Sequence, residues 1–354
     1  MKLLTSHEVI PVEGAERERL IKDFEAYTPG LIRLMPGRWL LHAKYREIAD
    51  MIYSFQYRKS DVTLMTWPKC GTTLMQETIW TLINNPNLNS PDGQLSLTLR
   101  SPFFEMDMFA PPSKPGEVPA QNKHMLAAMK RWYPDLAQND AVFYQFSTVY
   151  PDPRLLKTHL PFSLMSPSIL DSSKVVYVAR NPKDVVVSYH HHSKIVKGHD
   201  FVGRFEDFVQ YFVDDDLMYG PYWLHLKEAL ERRNHPNLHF MFYEDMKANP
   251  LEELKKLNEF LSTNLSEDQL KGIAKYTSFK EMKARGVTPI LDFEKNGVKM
   301  NVLNEDIVKK DGGILRKGET GDWKNKLSLE LEAKIDQWIQ KNLADLDVTF
   351  KYRV

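Results

Sequence analysis

The sequence predicts a single α/β domain built on a central parallel β-sheet flanked by helices. Three observations lead there. Short unbroken apolar runs, such as Val62 to Met65 and Val175 to Ala179, alternate with stretches of helical spacing, as strands covered on both faces do. The first run passes through Thr66-Trp67-Pro68-Lys69-Cys70-Gly71-Thr72-Thr73 into a helix-like segment, the strand–loop–helix arrangement of phosphate-loop nucleotide-binding folds. Polar groups then recur where strands are predicted to end, at Lys157 to His159, Arg180 and Tyr243, and open α/β sheets bind ligands at that edge.

Taken in order, residues 1–60 read as a lead-in of mixed polarity. A strand follows over Asp61 to Thr66, then a helix over Thr72 to Asn84 with Leu74, Met75, Thr78, Ile79, Leu82 and Ile83 at helical spacing. Residues 85–150 are irregular and rich in proline and aromatics, a long excursion of the kind that forms lids and binding loops. Strands are predicted over Arg154 to His159, Lys174 to Arg180 and Asn237 to Glu244. Pro182 opens a helix to about Lys194, and Pro250 one to Leu261. Ser266 with Gln269 forms a capping box. The last helix runs from about Ser328 to Leu343, with Leu331, Ile335, Trp338, Ile339 and Leu343 on one face.

Composition narrows the function classes. The 354 residues are 42% hydrophobic and 27% charged, an ordinary globular balance. Forty-seven basic residues match 47 acidic ones, which argues against a non-specific nucleic-acid binder. Cys70 is the single cysteine, so no internal disulfide forms. The N-terminus turns polar too early for a signal peptide, and no run of about 18 apolar residues offers a membrane anchor. Cytoplasm is the default expectation, with no membrane partner.

Four elements carry chemistry. In the first loop Lys69 precedes Gly71 rather than following a glycine, so the loop departs from the standard Walker pattern. Alone it reads equally as a nucleotide site or a strand–helix turn. Lys157-Thr158-His159 sets a cation beside an imidazole, suited to moving an anionic group with a histidine base. Taken alone, His159 reads more readily as a buried histidine bonded locally. Arg180 and Ser188 suit a phosphate clamp, or Arg180 pairs with Asp184 at the surface. Arg316-Lys317-Gly318, after Gly312-Gly313, is either a further anion clamp or a solvated loop. His190-His191-His192 invites a metal, but successive helical residues point about 100° apart, so no metal site is expected. One or two of these histidines are expected on the acceptor cavity instead.

Together these segments resemble the cytosolic sulfotransferases. The resemblance runs from about residue 30 onward through TWPKCGTT, LLKTHLP, VVYVARNPKDVVVSY, FYEDMKANP, YTSFKEMK and LRKGETGDWK. Within the family it is similar to insect-type members, including the retinol dehydratase branch. The resemblance implies one sulfotransferase domain over residues 1–354, with 85–150 and 285–315 as acceptor-covering loops. It implies sulfonate transfer from 3′-phosphoadenosine 5′-phosphosulfate (PAPS) to a hydroxyl of a small apolar phenol, alcohol or sterol, as in detoxification, leaving 3′,5′-bisphosphoadenosine (PAP) and using no metal. By resemblance Lys69, Cys70, Gly71, Thr72 and Thr73 hold the 5′-phosphosulfate, and Leu74 flanks the nucleotide. Arg180, Ser188, Arg316, Lys317 and Gly318 hold the 3′-phosphate. Tyr243, Thr277 and Phe279 lie along the adenine, His159 is the base, and Lys157 and Lys69 are catalytic cations.

Several positions depart from the family pattern. Leu74 stands where tryptophan is usual, which removes an aromatic surface from the adenine. Cys70 stands where serine is usual, and a thiol at a helix N-terminus beside Lys69 is either reactive or a passive small residue. Lys324 remains from the family's dimer motif, but Ser328, Leu329 and Ala333 replace its other members, leaving monomer and homodimer open. Phe103, Phe104, Met106, Met108, Phe109, Trp132, Tyr133, Phe143 and Tyr144 either wall an apolar acceptor pocket or pack the excursion's own core. The alternatives are a dehydratase that sulfonates an allylic alcohol and eliminates sulfate, and a donor-binding protein without turnover.

Overall fold

The computed structural model describes residues 1–110, 123, 126–127, 129–130, 133–136, 141–288, 302–344 and 346–350. Among these, β1 (Glu8–Pro11), β2 (Leu31–Met35) and β3 (Trp39–His42) pair as an antiparallel sheet. The strands β4 (Val62–Thr66), β5 (Leu155–Thr158), β6 (Lys174–Ala179) and β7 (Leu238–Phe242) form a parallel sheet in the order β5-β4-β6-β7. Every residue of β4 is buried, as its unbroken apolar run requires between two helical layers. Its register sets Met65 against both Thr158 and Tyr177. The loop after Thr66, His159 after β5 and Arg180 after β6 therefore emerge at one sheet edge.

The helices behind this edge form where the sequence places them. Thr72–Asn84 buries Met75, Ile79 and Leu82 against Val176, Val178, Leu254, Leu257 and Ile273. Pro182–Ile195 begins on a proline, and the Asn181 side chain accepts from the Lys183 amide at 2.9 Å. Ser266 and Gln269 close the capping box in both directions. The final helix spans Leu329–Leu343, with Ser328 as its cap and Leu331, Ile335 and Ile339 buried.

Three features depart from the sequence reading. Residues 1–60 hold the antiparallel sheet and the helices Gly14–Asp23 and Tyr45–Tyr53 rather than a lead-in. Strand β7 stops at Phe242, and Tyr243 opens the helix Tyr243–Ala248. The first excursion is tied to the sheet. Lys157 N donates to Pro102 O at 2.8 Å and Phe104 N to Lys157 O at 3.1 Å, so residues 102–104 run beside β5.

The excursion also has a core of its own, formed by Leu99, Leu126, Met129, Leu136, Val142, Phe143, Phe146 and Tyr150. Buried Glu77, on the helix Thr72–Asn84, receives Arg100 and Arg285 at 2.6 Å each. This triad joins the helix behind the first loop to the excursion and to the start of the second insert.

Candidate active site

The loop after β4 turns through two left-handed residues, Lys69 at φ 69° and Gly71 at φ 97°. Between them the chain aims Lys69 outward and folds Cys70 into the core. A side chain at Gly71 would place its Cβ 2.4 Å from the Tyr243 ring, so glycine is required there. No side chain caps the helix that follows. Its first-turn N–H groups stay available to an anion, and the dipole favours one.

Lys157 and His159 face this loop from β5. His159 Nδ1 donates to Thr66 O at 2.8 Å. That bond fixes the tautomer and leaves Nε2 with a lone pair and no protein partner. Burial, reinforced by Lys157, holds the imidazole well below its ordinary pKa. Buried Glu105 braces the strand end, accepting from the His159 amide at 2.6 Å and from Thr158 Oγ1 at 2.9 Å. Burial pushes the Glu105 carboxyl up and the Lys157 ammonium down, each partly offset by the other. Lys157 Nζ also sits 3.6 Å from the centroid of the Phe103 ring. Lys69 falls to about 7 through burial and the nearby cations Arg180, Lys157 and Arg316. An anion among these groups would favour their charged forms.

Across the sheet edge, Arg180 stacks on Tyr243 at 4.4 Å and donates to Lys69 O at 3.0 Å and Glu319 O at 3.2 Å. Its buried Nε has no protein partner, and a phosphate oxygen is a suitable acceptor for it. The alternative pairing with Asp184 does not form. Asp184 instead accepts from the Gly321 amide at 2.7 Å and the Trp323 amide at 3.3 Å, pinning the loop that carries Arg316 and Lys317. Arg316 pairs with Asp322 at 2.7 Å, and Lys317 pairs with the same carboxylate. Gly318, at φ 67°, lies so close to Phe279 that a Cβ would come within 2.1 Å of the ring.

These groups line one cavity of about 780 Å³. Lys69, Gly71, Thr72, Thr73, Leu74, Lys157, His159, Arg180, Ser188, Tyr243, Phe279, Arg316, Lys317 and Gly318 all reach its wall. Cys70 and Thr277 do not. Cys70 packs in the core, and burial pushes its thiol far up, which corrects the reactive reading. Thr277 ends the helix Glu267–Tyr276 with its Oγ1 donated to Ile273 O at 2.9 Å.

From the excursion, Phe103, Met106, Phe109 and Phe143 line the cavity, whereas Phe104 and Met108 pack in the main core. Tyr133 joins the excursion's own core and Tyr144 packs against the main one. Trp132 lies outside the described residues. Of the three consecutive histidines His192 alone opens on the cavity, and among the described residues no group of His, Cys, Asp and Glu could hold a metal.

The sequence reading missed Glu105, Lys247, His42, His199 and Tyr219. Lys247 shares a helix face with Tyr243 four residues before it, a signal that a helix starting at Tyr243 would have exposed. His42 ends β3, in the sheet that went unread.

Residues 59–347 match the sulfotransferase domain family. The chain belongs to that family. It is 35% identical over 324 residues to mouse sulfotransferase 1A1, covering 91% of this chain and 98% of that protein. It is 29% identical over 307 residues to luciferin sulfotransferase of Photinus pyralis, covering 86% of this chain and 77% of that one. Among solved structures, retinol dehydratase with retinol and PAP superimposes with a TM-score of 0.82 at 27% identity, over 98% of this chain and 99% of that one. Retinol dehydratase with androsterone and PAP gives 0.81 at 26% identity, with the same coverage. The family uses PAPS, and in this chain an uncapped helix N-terminus and an unpartnered Arg180 Nε offer donors to an anionic group. Among the described residues no helix is long and apolar enough to cross a membrane.

Proposed function

We propose that the protein transfers a sulfonate from PAPS to a hydroxyl of a small apolar acceptor, with His159 as general base. One observation carries this reading: Lys69, Lys157 and a neutral imidazole with a free Nε2 converge on one cavity. Lys69 and the first turn of Thr72–Asn84 hold the 5′-phosphosulfate. Arg180, Ser188, Arg316 and Lys317 hold the 3′-phosphate, and an analogue without that phosphate leaves these groups unmatched. Leu74, Tyr243 and Phe279 enclose the adenine. Phe103, Met106, Phe109 and Phe143 wall the acceptor.

The chemistry follows from the fixed groups. His159 Nε2 takes the hydroxyl proton as the new S–O bond forms, a role worth about 10²–10⁴ in rate. Glu105 keeps the backbone of His159 in place. Lys157 and Lys69 face the charge that builds on sulfonate and leaving oxygens, where prearranged donors act most strongly. The test is incubation of purified protein with labelled PAPS and a panel of phenols, alcohols and sterols. Label should appear in a hydroxyl acceptor. Tight PAP binding without transfer to any acceptor contradicts the proposal and favours a donor-binding protein.

The likeness to retinol dehydratase extends over nearly the full length of both chains and favours a second reading, sulfonation of an allylic alcohol followed by loss of sulfate. Product analysis separates the two: a stable sulfate ester supports direct transfer, an anhydro product supports elimination.

A further inference from the structure

Two buried side chains that line no part of the cavity hold the main chain of residues that do. Tyr222 and His225 lie one turn apart at the start of the helix Tyr222–Leu230, on the same face. Tyr222 OH donates to Arg180 O at 2.7 Å, and His225 Nε2 lies 3.1 Å from His159 O. His159 and Arg180 are each the first residue past a strand, β5 and β6. The sheet ladder ends there, and a buried carbonyl needs a donor from elsewhere.

The direction of the His225 bond is fixed. A carbonyl only accepts, so the ring proton sits on Nε2. Burial holds the imidazole down to about 4, so the ring is uncharged and Nδ1 keeps a lone pair. Tyr177 OH, 2.8 Å from Nδ1, is therefore the donor there. Tyr177, His225 and the His159 carbonyl form one directed chain of hydrogen bonds.

Each peptide unit is held at both ends. The His159–Leu160 unit accepts from His225 at its oxygen and donates its N–H to Thr158 Oγ1 at 3.0 Å. The Arg180–Asn181 unit accepts from Tyr222 at its oxygen and donates its N–H to Glu244 Oε1 at 2.8 Å. The lead-in to the helix is seated on the antiparallel sheet. Tyr219 N donates to Leu40 O at 2.8 Å, and Leu40 N to Gly220 O at 3.1 Å. Trp39 of β3 meets the His225 ring edge-on, with centroids 6.3 Å apart.

We infer that Tyr222 and His225 are positioning residues, two braces on one helix that set Arg180 for the donor's 3′-phosphate and His159 for the acceptor hydroxyl. One element thereby fixes the spacing between the two ends of the reaction, and the antiparallel sheet is its footing. A misplacement of about 1 Å at a reacting group costs about 10²-fold in rate, so the braces act without touching a ligand. The inference rests on the sulfotransferase reading and deepens it.

The test separates the two braces on the full chain. PAP binding is measured by calorimetry, and kcat with saturating labelled PAPS and 4-nitrophenol. Tyr222→Phe keeps the ring and loses the hydroxyl. Its PAP affinity should fall by about tenfold, with affinity for adenosine 5′-monophosphate, which lacks the 3′-phosphate, little changed. His225→Phe should lower kcat by about ten- to a hundredfold with PAP affinity retained, and His225→Gln, which keeps an N–H donor, should recover part of the loss. Imidazole NMR reads the second brace without turnover. The His159 ring resonances, identified by their loss in His159→Ala, should move in His225→Phe and hold still in Tyr222→Phe. Should His225→Phe not fold, Tyr177→Phe replaces it, since losing the Nδ1 bond should move the same resonances. Variants that weaken PAP binding and kcat alike, PAP binding untouched in Tyr222→Phe, or unmoved His159 resonances overturn the braces. A wild type that binds PAP but transfers nothing to 4-nitrophenol or the wider acceptor panel overturns the sulfotransferase proposal, and the PAP affinities and His159 resonances then still decide the braces. A wild type that binds no PAP overturns both.

Discussion

Lys69 shows how a single residue reports the state of the site. With no anion beside it, burial and its neighbouring cations hold its pKa at about 7, and Lys157 is lowered by its own burial. A bound bisphosphate raises both, because opposite charge favours the ammonium. Binding therefore takes up protons, and PAP affinity falls as pH rises above about 7, by up to tenfold per unit for each coupled group. Below that pH Lys69 is already charged and affinity levels off. Calorimetry in buffers of different ionisation enthalpy measures the uptake directly; equal heats across buffers contradict the assignment. His159 stays neutral through this window and adds nothing to the effect. A residue-scale departure from the family is Leu74. Leu74→Trp should tighten PAP by about 1–3 kcal/mol if it restores stacking on the adenine, read as a lower Kd in titration.

At the scale of elements, two close approaches hold the nucleotide end together. The loop bearing Gly318 presses on Phe279 at the start of its helix, and the loop bearing Gly71 presses on Tyr243 at the start of another. Gly318→Ala must displace an aromatic ring and strain a backbone at φ 67°. We expect PAP affinity to fall by about tenfold or more, with Tm little changed because the loop is not part of the core. The buried triad is the opposite case. Glu77→Gln leaves Arg100 and Arg285 as uncompensated charges. It should cost about 3–5 kcal/mol in denaturant unfolding, the usual penalty for breaking a buried pair.

For the whole molecule, the parallel sheet was legible because its strands are unbroken apolar runs and its ligand groups follow them directly. The helix Thr72–Asn84 and the capping box at Ser266 match their sequence signals residue for residue. The antiparallel sheet was not legible. Its strands are four or five residues long, and β2 is mostly buried, so it lacks the alternation that marks a half-exposed strand. That omission hid His42 and the Ala26–Pro29 turn, which wall the far side of the cavity. The sequence left Cys70 open between a reactive and a passive thiol for a local reason: the loop turns through positive φ at Lys69 and Gly71 and the thiol packs inward, and a motif does not reveal the direction of a side chain. Glu105 went unnoticed because only the pairing of residues 102–104 with β5 brings it to His159.

The central claim is that this fold gathers a sulfonate donor and a hydroxyl under one histidine base. It is tested most directly by measuring labelled-sulfonate transfer and PAP binding together in the wild type and in His159→Ala. The account predicts a loss of about 10²–10⁴ in kcat for His159→Ala with PAP affinity unchanged, and transfer retained with PAP binding intact would contradict it.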